Sequence, residues 1–201
     1  MQAFWKDAHD EGGLAWDDTN NNRAFLAGEI CGSLNGASIY IAAKRGQDKI
    51  KDDKGEPMWT DIDHAPLPAG PAGGYLLFLN QSHAVMKYGK NQKLAKDLLL
   101  WVHKPENFGK WFSTQEGYSI GSTKKWENDP MWGKLDEPLK MFRTAARNTR
   151  LFGFAGPSTA KATEGFTKYV ITDMYAKAVQ GMKAEDAVKW AEGELKKIYE
   201  A

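Results

Sequence analysis

Cysteine is almost missing from this chain. Cys31 is the only one in 201 residues, which excludes an internal disulfide and any zinc site built from several thiolates. An excess of one charge is missing as well. Lys and Arg total 27 against 26 for Asp and Glu, a net charge of +1, so the chain lacks the basic field of a general nucleic-acid or anionic-membrane binder. The longest strongly apolar run, Tyr75 to Leu79, is far short of the roughly 20 residues that cross a bilayer. The opening Met1-Gln2-Ala3-Phe4-Trp5-Lys6 shows no basic start followed by an apolar stretch, so no signal peptide is expected. The histidines, at 9, 64, 83 and 103, lie far apart, and neither a metal set nor a catalytic histidine is expected. What the chain does have is aromatic surface. Aromatics make up 12%, with eight Trp, side chains that pair a flat apolar face with a polar handle for ligands.

Periodicity predicts a helix from about Asn20 to Gly28, with Asp17, Asp18 and Thr19 as capping oxygens and Gly28 and Gly32 ending it. The stretch from Ser33 to Ile41 is short, apolar and β-prone and reads as a buried, bent strand. Short strands are also predicted at Asp61 to Leu67 and Tyr75 to Asn80, separated by the Pro- and Gly-rich hinge from Pro68 to Gly74. Helices follow. Asn91 to Val102 places Leu94, Leu98 and Val102 at four-residue steps, and Asp136 to Asn148 reads as a helix capped by Asp136. After a second turn-rich stretch, Gly153 to Pro157, one long helix is predicted through Ala162, Phe166, Val170, Met174 and Ala178 to Gly181. A last one buries Ala184, Val188, Ala191, Leu195 and Ile198.

Candidate chemistry is sparse. Asp61 and Asp63 would share one face of a strand beside His64, but no second ligand cluster completes a metal site, and a solvated edge strand is the better reading. Cys31, among apolar neighbours, reads as a buried inert thiol, and His103 as a helix-end residue facing the C-terminal dipole. The glycines before Tyr75 precede a strand, whereas phosphate loops follow one, so no nucleotide cofactor is expected. Glycoside hydrolysis would need two positioned carboxylates, and nothing singles out a pair.

The order of several short matches is more specific than any one of them. Phe25-Leu26-Ala27-Gly28-Glu29-Ile30 followed by Leu34-Asn35-Gly36-Ala37-Ser38-Ile39-Tyr40 resembles a helix leading into an N-G-x-W ligand loop. Ala65-Pro66-Leu67-Pro68 and Gly73-Gly74-Tyr75-Leu76-Leu77-Phe78 resemble strand ends at a crossing between lobes. The helix around Lys93 to Val102, the Gly117-Tyr118-Ser119-Ile120-Gly121 stretch and the Gly181 to Val188 segment complete the series. Together, over about residues 15 to 200, they are similar to the C-terminal half of extracellular solute-binding proteins of the family-1, maltose-binding-like class.

The resemblance implies an α/β fold: the helix-rich C-terminal portion of a two-lobe type II periplasmic-binding-protein fold, its sheet incomplete in this chain. It implies residues 1–68 in lobe two, 69–152 in lobe one, and 153–201 as lobe-two helices. The implied function is non-enzymatic binding of a sugar, oligosaccharide or other small polar solute, in the periplasm or outside the cell, for delivery to the permease of an ABC importer. No cofactor, metal or nucleic acid belongs to that function. Implied ligand contacts are Asn35, Gly36 and Ser38, with Tyr40 standing in for a stacking Trp, then Gly73, Gly74 and Tyr75, then Tyr118 and Phe154. The alternative is an interaction module that pairs through exposed lobe surface with the missing N-terminal half or with a second copy of itself.

Overall fold

The computed structural model describes residues 2–9, 11–46, 49–77, 79, 81–151 and 156–200. In chain order its helices are α1 (Gln2–Ala8), α2 (Asn20–Leu26), α3 (Ser38–Gly46), α4 (Gln92–Val102), α5 (Pro105–Ser113), α6 (Lys124–Glu127), α7 (Glu137–Lys140), α8 (Ala160–Thr167), α9 (Val170–Val179) and α10 (Ala184–Tyr199). Tighter 3-10 segments occupy Glu11–Ala15, Met58–Asp61, Pro130–Lys134 and Met141–Asn148. Strand β1 (Leu76–Leu77) pairs with β2 (Thr149–Arg150) to give a two-stranded sheet. The expected architecture, rich in helix with an incomplete sheet, is the one observed. The chain divides into two compact units, Asn21–Thr149 and the combination of Met1–Asn20 with Arg150–Ala201.

In the unit that joins the two chain ends, Gln2 ties α1 down by donating to the carbonyls of Ala178, at 2.6 Å, and Met182. The core is small: Val170 of α9 packs with Ala191 and Ile198 of α10. The single long helix expected from 160 to 181 is two helices. Thr159 caps α8 by accepting from the Ala162 amide, and Tyr169, at φ 54°, turns the chain left-handed before α9. That conformation costs a non-glycine residue about 1–2 kcal/mol, and no Gly or Pro marks it in the sequence. Gly181 ends α9 as expected. At φ 109° it lets its own amide reach Ala178 O and the Met182 amide reach Lys177 O, closing the last turn. On α10 the buried positions are Ala187, Ala191 and Ile198, while Val188, expected inside, is 55% exposed.

In the other unit, α2 ends at Gly28 through the same device, with Gly28 N–H to Phe25 O and Glu29 N–H to Ala24 O. The predicted strand from Ser33 to Ile41 is instead irregular chain followed by α3. The β-branched run loses to packing: as a helix it buries Ile39, Tyr40, Ile41 and Ala43 together with Met58, Ile62 and Leu139. The stretch from 62 to 67 carries no strand, and of the third predicted strand Leu76–Leu77 is observed, while Phe78 and Asn80 lie outside the described residues. Cys31, read as buried, is exposed, because the chain beyond Gly28 runs over the surface. Helix α4 falls where predicted, yet its apolar stripe faces outward, with Leu94 68% and Leu98 56% exposed. The 136–148 helix is one α turn followed by a 3-10 run.

A second core here gathers Phe112, Met131 and Trp132, with Phe108 and Trp126 packed against them. Gly121 is wedged into it. A Cβ at this position would stand 2.0 Å from Trp126 Cβ and 3.2 Å from Trp126 Cα, atoms that no side-chain rotation moves away. We expect Gly121→Ala to lower stability by about 1–3 kcal/mol in urea denaturation, as overpacking does. Gly133→Ala, where a Cβ meets nothing within 4 Å, should change stability far less; equal effects from the two substitutions would disprove the packing account.

Candidate functional site

The entry to α3 is a polar knot of short side chains. Asn35 Oδ1 accepts from the Gly36 amide at 2.7 Å and from Ser38 Oγ at 3.2 Å. Asn35 Nδ2 donates to Asn22 Oδ1 at 2.5 Å, and Asn22 Nδ2 donates to Ser38 Oγ at 3.1 Å. Asn21 reaches Ser33 Oγ at 3.0 Å. Three of the residues singled out in the sequence, Asn35, Gly36 and Ser38, therefore meet in one place, and α2 contributes two more that were not. The only mark of Asn21 and Asn22 in the sequence is the run Asn20-Asn21-Asn22, which reads as a helix start. Asn35 and Gly36 are exposed and Asn22 and Ser38 half-buried, so it is chiefly the Asn35 amide that faces solvent here.

Tyr40 lies one turn further along α3 and is only 1% exposed. Its hydroxyl donates to Asp136 Oδ2 at 2.9 Å, and Lys44 forms an ion pair with the same oxygen. Burial, with the carboxylate beside it, pushes the Tyr40 hydroxyl well above the usual tyrosine range. The Lys44 ammonium, helped by the Tyr40 hydroxyl, holds Asp136 below the usual carboxylate range. Tyr40, Lys44 and Asp136 line a small cleft of about 110 Å³ together with Glu116, Lys134 and Leu139. Glu116 also pairs with Arg45 of α3 at 3.1 Å.

The remaining expected contacts fall elsewhere. Gly70 and Gly73 exchange backbone hydrogen bonds of 3.0 and 3.1 Å in a tight turn. Gly73 has φ 116°, and a Cβ on it would stand 3.2 Å from the Tyr75 ring, so glycine lets the ring lie against the backbone. Gly74 is exposed, as are Tyr75 and Tyr118, which show 45% and 57% of their surface. Phe154 lies outside the described residues.

Asp61 and Asp63 are exposed and do not sit on a strand; Asp63 accepts from the His64 amide. His64 packs between Tyr40 and Phe142, at ring separations of 5.9 and 4.9 Å, with a backbone hydrogen bond to Pro138. Its Nδ1 is buried and has no hydrogen-bond partner among the described residues. Among those residues no group of three or more His, Cys, Asp or Glu side chains is placed to hold a metal ion.

Comparison with known proteins gives the chain its class. The model of the bacterial extracellular solute-binding protein family matches residues 1–137, about two thirds of the chain, a stretch that contains α2, the α3 knot and the Asp136 anchor. The chain belongs to that family. No curated protein and no solved structure matches it. The family description names solute binding outside the cell and no particular solute.

Two predictions follow from the anchor beneath the knot. Asp136→Ala should destabilise more than Tyr40→Phe, which costs about 1 kcal/mol, because the former leaves a buried hydroxyl without an acceptor. In a double-mutant cycle the pair should show a coupling well outside error, and strict additivity would refute the shared role. The second prediction concerns pH. Burial lowers the His64 pKa from its ordinary 6.5, so the unfolded chain takes up the proton first. Stability from this residue is complete above pH 6.5 and is lost as pH falls below it, through the folded-state pKa. Melting curves between pH 7.5 and 5 should show this slope in the natural chain and a flatter one in His64→Gln.

Proposed function

We propose that this protein is the non-enzymatic receptor of an ABC-type importer, acting outside the cytoplasmic membrane and handing a small polar solute, a saccharide first among the classes, to a permease. One observation carries the reading. Asn22, Asn35, Gly36 and Ser38 hold neutral donors and acceptors side by side within the family-matched segment, Asn35 and Gly36 exposed and Asn22 and Ser38 half-buried. Neutral amide and hydroxyl groups suit hydroxyl-rich solutes, whose recognition requires both donors and acceptors. In this reading Tyr75 and Tyr118 offer exposed rings for stacking and Gly74 offers its backbone amide, while the Gly73 amide stays committed to Gly70 O and holds the turn. Tyr40, being buried, serves the site by holding α3 in place.

A second reading rests on a different surface. Leu94, Leu98, Leu100 and Trp101 of α4 are 56–69% exposed, an apolar display that favours an interaction module covered by another chain, a second copy included.

Thermal-shift measurements against mono- and oligosaccharides, polyols and amino acids test the first reading. We expect a saccharide to raise the melting temperature at concentrations above its dissociation constant. Asn22→Ala and Asn35→Ala should each weaken that response about tenfold, the equivalent of ~1.4 kcal/mol. If no solute shifts the melt and sedimentation shows a dimer at micromolar concentration, the second reading replaces the first.

A further inference from the structure

His83 and His103, twenty residues apart in sequence, meet on the surface of the larger unit. His103 Nε2 lies 3.2 Å from His83 Nδ1, and the ring centres are 5.2 Å apart. His103 is the first residue beyond α4, and its amide still donates to Leu99 O. Its ring is stacked on Phe108 of α5 at 5.9 Å and 17°. Phe108 itself packs on Phe112 and Trp126 of the aromatic core. The imidazole is thus fixed at the α4–α5 corner with one nitrogen turned toward the irregular stretch that carries His83.

We propose that His83 Nδ1 and His103 Nε2 form a two-histidine site for a zinc-type divalent cation, open to solvent, which fastens the segment before α4 to the α4–α5 corner. The spacing suits a tetrahedral ion. With Zn–N bonds of about 2.05 Å at a tetrahedral angle, two imidazole nitrogens stand ~3.3 Å apart and their ring centres ~5.2 Å apart. A square-planar ion such as Cu²⁺ would draw the nitrogens to about 2.9 Å. The observed 3.2 Å and 5.2 Å fall on the tetrahedral pair. In the metal-free protein one of these nitrogens carries the proton that the other accepts. Binding requires that proton to move to the far nitrogen of its own ring, which leaves two lone pairs for the ion and releases no proton. No third protein ligand is near among the described residues, so water completes the shell. Both rings are exposed and reachable from solution. The stacking of Phe108 on His103 holds the plane of that ring.

The test is calorimetric titration of chelator-treated protein with Zn²⁺, beside ¹⁵N spectra of the histidine side chains. We expect one saturable event, weakened at least tenfold by His83→Ala and by His103→Ala but unchanged by His9→Ala and Cys31→Ser. In the natural chain Zn²⁺ should shift His83 Nδ1 and His103 Nε2 while sparing the His9 and His64 nitrogens, a readout that does not depend on any variant folding. Saturable binding that survives His83→Ala, loss of binding with Cys31→Ser, or no saturable heat would each overturn the site. None of these outcomes bears on the solute-binding reading.

Discussion

The carboxylate of Asp136 is the point on which the larger unit turns. Read in the sequence as a helix cap, it makes no capping bond to α7 among the described residues; it accepts from Tyr40 and pairs with Lys44, across 96 and 92 residues of chain. The ion pair alone contributes little, since both side chains remain partly exposed and water screens them. The Tyr40 hydroxyl is different. Its ring is fully buried, with Trp59 and His64 near it, so an O–H without an acceptor would carry its whole desolvation cost. Asp136 therefore fixes which face of α3 turns inward, and that in turn fixes where Asn35, Gly36 and Ser38 emerge.

A second constraint operates in the aromatic core. The abundance of Trp suggested ligand-stacking surface, but much of it serves packing. Trp132 is buried and donates from its indole to Trp126 O, and Trp126 stands between Phe108 and Phe112. Trp59 takes the Lys44 ammonium over its ring at 5.4 Å, and Trp190 takes Lys177 at 4.6 Å. Nearby, Glu127 is buried and held by Arg147, whose guanidinium depresses its pKa, while Arg143 binds the Glu127 carbonyl. These contacts bind α6 to the 3-10 run after α7. The proposed preference for saccharides thus rests less on composition than on the asparagine and serine knot.

How much was legible in the sequence divides along the range of the forces involved. Helices α4 and α10 and the glycine stops at 28 and 181 were readable because an apolar stripe and a left-handed cap are properties of a few adjacent residues. Helix α3 was misread because Ile39, Tyr40 and Ile41 are locally β-prone, and the decision comes from Leu139 and Asp136, nearly a hundred residues away. The break at Tyr169 carries no local signal either. At the candidate site, Asn35, Gly36 and Ser38 were found through resemblance to a family pattern. Asn22, their partner across the turn, was missed because its role exists only once α2 and α3 are side by side.

The knot at α3 also limits how it can act. Asn35 uses its carbonyl oxygen twice and its amide once within the protein, and Asn22 uses both ends of its side chain. An incoming hydroxyl group would exchange one of these bonds for another instead of satisfying an empty donor, so each contact returns only the modest net value of a hydrogen bond made in place of another. In the proposed role, tight binding must then come from excluding water around several such exchanges at once. A knot already closed on itself does, however, keep its groups in fixed geometry before the solute arrives, and that preorganisation lowers the entropy cost of capture. Under the proposed function, selectivity for the pattern of donors and acceptors, more than affinity from any one contact, is what such an arrangement delivers.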